Sequence, residues 1–278
     1  MGPDPRTVDL HLHTVYSDGT DAPERVVELA HHAGLSAIAI TDHDNTDAFA
    51  IAAPVAQRFG IELLPGIEMS ATANGNEVHV LGFLMDLVHP GLRQHLSEQQ
   101  ARRVKRVHQM VQQLQQAGVK IEAQEVLDLA RLGTVGRPHV AQVLLKHGYV
   151  ASLPEAFSRY LGPKNPGFVP GSPLAPAQVI RVIRDAGGVP VLAHPIYLND
   201  DAYIDRLVAD GLAGLEVYHS GHPLDAIQRY EQIANRLKLL KTSGSDYHGQ
   251  TKEGLPIGSV KGPYALVDAL KAWKRGSG

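Results

Sequence analysis

Val8-Asp9-Leu10-His11-Leu12 alternates apolar and polar side chains, the period of a half-buried strand, and His13 follows at once. Residues two apart on a strand project from one face, so His11 and His13 aim their imidazoles together. The interior of a barrel is such a face. Two converging imidazoles can chelate a metal ion; a buried, hydrogen-bonded pair fits the same spacing equally well. The tie is broken further along the chain. Asp18, Thr41-Asp42-His43-Asp44, Glu68 in Pro65-Gly66-Ile67-Glu68 and His79 in Glu77-Val78-His79-Val80 come first. Ala193-His194-Pro195 and Gly244-Ser245-Asp246-Tyr247-His248 answer them much later. Most of these residues close a short apolar run. A series of strand-end His, Asp and Glu points to a multinuclear metal site, and such a site points to hydrolysis at phosphorus.

Outward from the opening strand, the first third alternates strand and helix. Residues 23–30 read as a helix ending at Gly34, and Ala37-Ile38-Ala39-Ile40 as a buried strand. Residues 48–59 read as a helix closed by Gly60 and kinked or divided by Pro54. Strands follow at 61–64 and 78–83, with Asn74-Gly75-Asn76 as a turn between them. The pattern changes at Leu92. Residues 92–118 read as one long helix with a charged, Gln-rich face, shorter helices follow at 123–130, 138–146 and 153–160, and residues 161–176 form a Pro/Gly-rich loop. Alternation resumes with helices at 177–186, 203–210, 224–237 and 264–274 and strands at 189–193, 214–218 and 239–242. The expectation is an α/β fold: a parallel sheet wrapped by helices, open or closed into a barrel. It divides into a first barrel part at 1–91, a helical insertion or cap at 92–174, and a second barrel part at 175–278. In α/β barrels the active site lies at the C-terminal ends of the strands. His13, His43, Glu68, His194, His219 and Asp246 all fall at or just past such ends.

Composition narrows the chemistry. A net charge of −3 argues against a surface that coats nucleic acid, though not against a local basic pocket. With no cysteine, disulfides and thiolate metal sites are excluded, and any metal is held by imidazole and carboxylate. No apolar stretch reaches the length of a membrane span, and the first strand leaves no room for a signal peptide, so the expected compartment is the cytoplasm.

The motifs together resemble the polymerase and histidinol phosphatase (PHP) superfamily of metal-dependent phosphoesterases. The matching residues are HLHTVYSDG at 11–19, TDHD at 41–44, PGIE at 65–68, His79, AHP at 193–195 and SDYH at 245–248. The position of the helical insertion matches the branch of stand-alone bacterial nucleoside 3′,5′-bisphosphate phosphatases and 5′-to-3′ exoribonucleases. The resemblance implies a distorted (β/α)7 barrel and two to three divalent ions. His11, His13, Glu68 and Asp246 would hold the first. Asp18, His43 and His248 would hold the second, and Glu68, His79 and His194 the third, with Glu68 bridging. Some members carry His where this chain has Asp18; the carboxylate tilts the choice toward manganese or magnesium, with zinc and iron still open. The implied chemistry is attack on phosphorus by a metal-bridging hydroxide.

Other residues carry more specific expectations. His219 reads as a phosphate contact or general acid, with an exposed loop histidine as the plain alternative. Asp44, like His219 a candidate catalytic residue, flanks His43 together with Asp42, where carboxylates commonly orient a metal ligand. Gly136-Arg137-Pro138-His139 opens a helix, and Arg137 with His139 reads as a clamp on a substrate phosphate. Lys164 and Arg159 are further candidates, and Tyr16 could stack on a base or simply pack. The basic face at Arg102–Arg106 reads as solvated surface, since aromatics are not interleaved with it. His31, His32, His89, His95, His108, His147 and His222 have no place in the pattern. The expected substrate is a nucleoside 3′,5′-bisphosphate losing its 3′-phosphate, or a short oligoribonucleotide trimmed from its 5′ end, with no membrane or protein partner. The alternatives are a phosphatase for another small phosphomonoester such as histidinol phosphate, or a non-catalytic metal-binding module. An amidohydrolase would need a lysine-type bridging ligand, a role Glu68 fills here.

Overall fold

The computed structural model describes residues 4–130, 132–252 and 254–276. The chain opens with β1 (Thr7–Leu12), α1 (Pro23–His32), β2 (Ala37–Ile40), α2 (Ala48–Phe59) and β3 (Glu62–Leu64). A hairpin of β4 (Gly66–Ala73) and β5 (Asn76–Phe83) follows. The helical block comprises α3 (Pro90–Gln116), α4 (Ala123–Leu129), α5 (Arg137–Lys146) and α6 (Leu153–Ala156), the last running into a π-helical turn at Phe157–Leu161. Then come α7 (Pro176–Asp185), β6 (Val189–Leu192), α8 (Tyr203–Ala209), β7 (Gly214–His219), α9 (Leu224–Leu237), β8 (Leu240–Gly244), β9 (Gly262–Pro263) and α10 (Ala265–Gly276).

The strands form two sheets, ordered β3-β2-β1-β9 and β4-β5-β6-β7-β8. This corrects the expectation of a single parallel sheet. β1–β2, β2–β3, β6–β7 and β7–β8 pair in parallel, but β4–β5, β5–β6 and β1–β9 are antiparallel. The sheets touch through single bridges, Leu12 to Tyr247 and His43 to Glu68, and not through a continuous ladder, so the hydrogen bonds do not draw a closed seven-stranded barrel among the described residues. The β4–β5 turn has a local cause. Asn74 (φ 51°) and Gly75 (φ 79°) both take the left-handed conformation that a two-residue type I′ hairpin requires. Along β4, Ile67, Met69, Ala71 and Ala73 face one apolar core, which leaves Glu68 and Ser70 on the opposite face.

Pro54 does not divide α2, which runs unbroken from Ala48 to Phe59 and ends on a left-handed Gly60. The carbonyl that loses its donor belongs to Ala50, which is exposed, so water can satisfy it. The 27-residue α3 joins two cores. Leu92 and Leu96 pack with α7 and the β4–β7 strands, whereas Val107, Met110 and Leu114 belong to a separate cluster with Val126, Val140, Leu144 and Leu161 of the helical block. No described helix is long and apolar enough to cross a membrane.

Candidate metal centre

The side chains at the strand ends converge. His11 Nε2 lies 3.1 Å from His13 Nε2, 3.3 Å from a Glu68 oxygen and 3.5 Å from Asp246 Oδ1. His13 Nε2 lies 3.2 Å from Glu68 and 3.3 Å from Asp246. Glu68 is the hub: His43 Nδ1 stands 3.2 Å from its Oε2, and His79 Nδ1 and His194 Nε2 each stand 2.9 Å from its Oε1. Asp18 is reached by His248 at 3.3 Å and by His43 at 3.7 Å. Ligand atoms of His13, Asp18, His43 and His248 all fall within 4.8 Å of one another; so do those of His11, His13 and Glu68, and of His43, Glu68 and His79. Gly244 permits the close approach of β8 to β1, since a Cβ there would meet the His11 Cβ at 2.2 Å.

The hydrogen bonds behind the rings decide which nitrogens face the centre as lone pairs. His11 Nδ1 donates to buried Glu216 at 2.9 Å. Ser17 gives its own proton to Asp42 at 2.6 Å, so its oxygen accepts from His13 Nδ1 at 3.2 Å. His248 Nδ1 donates to the Asp246 carbonyl at 2.8 Å, and His79 Nε2 faces Glu77 at 3.4 Å. Each ring therefore turns an unprotonated nitrogen toward carboxylates and other unprotonated nitrogens. Such a gathering of acceptors is repulsive unless protons or cations enter it. Asp18 Oδ1 and His43 Nδ1 are buried with no hydrogen-bond partner, which agrees. In the absence of cations, protons take their place. Burial opposes a charge on His13, but Asp246 and Glu68 outweigh it and push its pKa up to about 9. His79, likewise buried, is raised to about 10 by Glu68 and Glu77. At His43 burial, aided by the nearby His13 and His79, outweighs Glu68 and Asp18, and its pKa falls to about 3. Glu68, Asp18 and Asp246 overcome burial through their histidines and stay well below the usual carboxylate range. A borderline-to-hard N/O donor set with paired anions fits divalent cations. Backbone strain is present here too: His194 (φ 26°) and Asp246 (φ 54°), with Asp44 (φ 48°) beside His43, take positive φ, unusual for residues with a Cβ.

One cavity of about 710 Å³ opens onto this cluster and is lined by Asp18, His43, Glu68, His79, His194, Asp246 and His248. Arg103, Arg106 and Arg137 line the same cavity. Arg137 stands at the start of α5 with Nη2 2.5 Å from Glu77. Reading α3 as solvated surface holds for exposed Arg102 and Lys105 and is corrected for Arg103 and Arg106. Arg103 is largely buried and donates to Asp44 (2.8 and 2.7 Å) and to Ser70 (2.8 Å). Arg106 bonds the Val169 carbonyl at 3.0 Å and keeps Nη2 buried and unpartnered. The signal was present in the spacing: Leu92, Leu96, Gln99, Arg103, Arg106 and Met110 recur every three or four residues, which continues the buried stripe through polar positions.

Other expectations fare differently. Asp42 steadies His13 rather than its neighbour His43: it accepts from the Thr14 amide (2.7 Å), Thr14 hydroxyl (2.6 Å) and Ser17 (2.6 Å), and Ser17 in turn holds the His13 ring. Asp44 lies outside the cluster cavity, with its oxygens held by Arg103 and the Ser70 amide (3.1 Å), an anchor and not a catalytic group. His139 is buried and accepts from the Gly136 amide at 3.1 Å, which makes it a helix cap and takes it off the substrate side. Tyr16 packs half-buried against the α1–α2 core, and its carbonyl accepts from Thr134. Lys164 is exposed in the turn after the π-helix and does not line the cavity. His219 closes β7 with Nε2 3.3 Å from Asp246, nearer the ligands than its place in sequence implied. His222, a loop residue as read, is nonetheless buried and donates to the Val217 carbonyl at 2.9 Å. Lys252, paired with Asp246, was not anticipated, nor was Glu216. The latter's one signal was a charge inside the apolar run Gly214-Leu215-Glu216-Val217.

Residues 9–161, more than half of the chain, match the PHP domain. The chain belongs to the PHP family. Among its relatives, the 5′-3′ exoribonuclease Rnm of Escherichia coli is 33% identical over 86% of this chain and 84% of its own length. The 3′,5′-nucleoside bisphosphate phosphatase of Chromobacterium violaceum is 33% identical over 91% of each chain. The phosphoribosyl 1,2-cyclic phosphate 1,2-diphosphodiesterase of Eggerthella lenta is 32% identical over 87% of this chain and 94% of its own. A solved structure of a candidate metal-dependent phosphoesterase from Bifidobacterium adolescentis superposes with a TM-score of 0.90 at 34% identity, over 98% of this chain and 97% of that one. This PHP protein is a metal-dependent hydrolase of phosphate esters.

Proposed function

We propose that this PHP enzyme removes the 3′-phosphate of nucleoside 3′,5′-bisphosphates, trims short RNA from the 5′ end, or does both. The observation that carries the proposal is the shared cavity: a carboxylate–imidazole cluster and three guanidinium groups open into one space of about 710 Å³. A simple phosphomonoesterase needs the cluster alone. A substrate with two phosphates, one scissile and one terminal, uses both. The cavity volume lies within the range of nucleotide-sized ligands.

His11, His13, Glu68 and Asp246, then Asp18, His43 and His248, then His79 and His194 with Glu68, would hold two to three divalent ions, manganese foremost. Bound there, such ions supply Lewis acidity and activate water for attack on phosphorus. The chain's own groups do the rest. Glu216, Ser17 and Glu77 fix the ring tautomers from behind. His219 differs from the ligands: the Gly221 amide donates to its Nδ1 at 2.9 Å, so Nε2 carries the proton and points at Asp246. That supports His219 as the donor that protonates the leaving oxygen. Arg137, with Arg106, would seat the terminal phosphate, and residues 92–174 would act as a cap that limits substrate length. The lack of cysteine and a nucleotide substrate both fit a cytoplasmic setting.

The test is product analysis with a 5′-phosphorylated RNA oligomer beside adenosine 3′,5′-bisphosphate. Release of inorganic phosphate from the bisphosphate, or of 5′-mononucleotides from the RNA, is expected. Turnover of neither, with turnover of histidinol phosphate, would move the enzyme to another branch.

A further inference from the structure

Glu77 occupies ground that an incoming anion would want. It stands one residue into β5, where the hairpin turn has just reversed the chain. Its Oε2 meets Arg137 Nη2 at 2.5 Å, and its Oε1 lies 3.4 Å from His79 Nε2. Glu77, Arg103 and Arg106 line the main cavity and also an adjoining groove of about 310 Å³, so the carboxylate sits at the junction of the two spaces among three guanidinium groups. The positive set is not saturated by it. Arg106 still has Nη2 buried without a partner. Among the described residues Glu77 is the one carboxylate within salt-bridge distance of Arg137, and its side chain is only 24% exposed.

We propose that Glu77 is a built-in competitor for the seat of the nucleotide 5′-phosphate. It holds Arg137 in the free protein and is displaced when a phosphate arrives. This rests on the reading that Arg137 receives that phosphate. The chemistry favours an exchange. A carboxylate offers two oxygens and one negative charge, whereas a phosphate dianion offers three oxygens and can engage Arg137 and Arg106 together. The displacement weakens every 5′-phosphorylated ligand by the same contact, the 5′-mononucleotide product included. A neutral 5′-hydroxyl end leaves the Glu77–Arg137 pair in place. Glu77 therefore sets how long product stays, and an enzyme with a strongly cationic seat gains turnover from it.

The test is isothermal titration of AMP and of adenosine into the manganese-loaded wild-type, Glu77→Gln and Arg137→Ala proteins. The amide keeps the size of the side chain but holds His79 more weakly, so the proteins are compared at equal manganese content by elemental analysis. Glu77→Gln is expected to bind AMP about tenfold more tightly, with adenosine unchanged, the scale of one charged contact removed from competition. In turnover of adenosine 3′,5′-bisphosphate, KM and kcat should then fall together. If Glu77→Gln binds AMP no better than wild type, or worse, while Arg137→Ala weakens AMP, Glu77 merely orients Arg137 and the inference is overturned. If Arg137→Ala binds AMP as wild type does, the phosphate seat itself has been misplaced, whatever Glu77→Gln does. Should the amide variant fail to fold, Glu77→Asp withdraws the same charge by one methylene, and AMP affinity must again rise.

Discussion

The strand-end cluster and the arginine wall face each other across one cavity and are built by opposite means. In the cluster, short strands deliver imidazoles two residues apart, and a partner behind the ring, Glu216 for His11 and Ser17 for His13, holds it by its far nitrogen. On the wall, a long helix and a helix start deliver long side chains that reach inward, and the outermost, Arg137, is held by Glu77, the carboxylate proposed to yield to substrate. The first construction gives fixed geometry, which ions of defined coordination need. The second gives adjustable reach, which suits a ligand that must come and go. The two regions should therefore respond differently to damage.

The deepest cut is on the cluster. Replacing His11 and His13 together by Ala should lower phosphoesterase activity by about a thousandfold or more. Elemental analysis should find at least one ion fewer per chain, with far-UV circular dichroism unchanged; normal activity in that variant would sink the metal assignment. One layer back, Glu216→Gln keeps the shape but weakens the hold on His11 Nδ1. Metal affinity, read by chelator competition, should drop about 10- to 100-fold, the usual range for such a partner. A protein that retains wild-type affinity would reduce Glu216 to packing.

Protons sharpen the contrast next. Without cations His13 and His79 titrate near 9 and 10, so both are charged at pH 7 and must shed protons to bind an ion. Metal affinity should rise with pH by about tenfold per unit for each proton displaced, and level off only above those values. The sign reverses for the metal-free protein: the raised pKa values contribute stability that is complete below about 6.5 and fades as pH climbs through 9 to 10. Calorimetry in buffers of different ionisation enthalpy counts the protons, and a release of zero at pH 7 contradicts the picture. The mildest effect belongs to the wall. Arg137→Ala should raise KM for adenosine 3′,5′-bisphosphate about tenfold and leave turnover of a simple aryl phosphate alone. If both substrates suffer equally, Arg137 is structural.

The same contrast explains what could be read before folding. Strand-end ligands are legible because a two-residue spacing fixes the face: the Nε2 atoms of His11 and His13 lie 3.1 Å apart, and each stands within 3.5 Å of Glu68 and of Asp246, the partners the family resemblance implies. Partners behind the rings are hidden. Glu216 meets His11 across 205 residues, and no local pattern encodes such a pairing. The antiparallel β4–β5 hairpin was missed in part because β4 is buried on nearly its whole length, so its alternation separates a core face from a site face and not apolar from polar. Arg103 and Arg106 were misjudged because a charge on a helix is ordinarily solvated; only the stripe running through them betrays that the helix is covered there.

The length of α3 gives those arginines a peculiar mechanical situation. Its first turns are embedded beside α7 and its last turns in the independent core of the helical block, and Arg103 is pinned near the middle to Asp44 and Ser70. The helix is thus a beam resting on two foundations with a pivot between them. A change in volume at Met110 or Leu114, inside the core of the helical block, is expected to tilt the far arm and carry Arg106 with it. Substitutions in that remote support are expected to shift the proposed phosphate seat and leave the metal-holding residues alone.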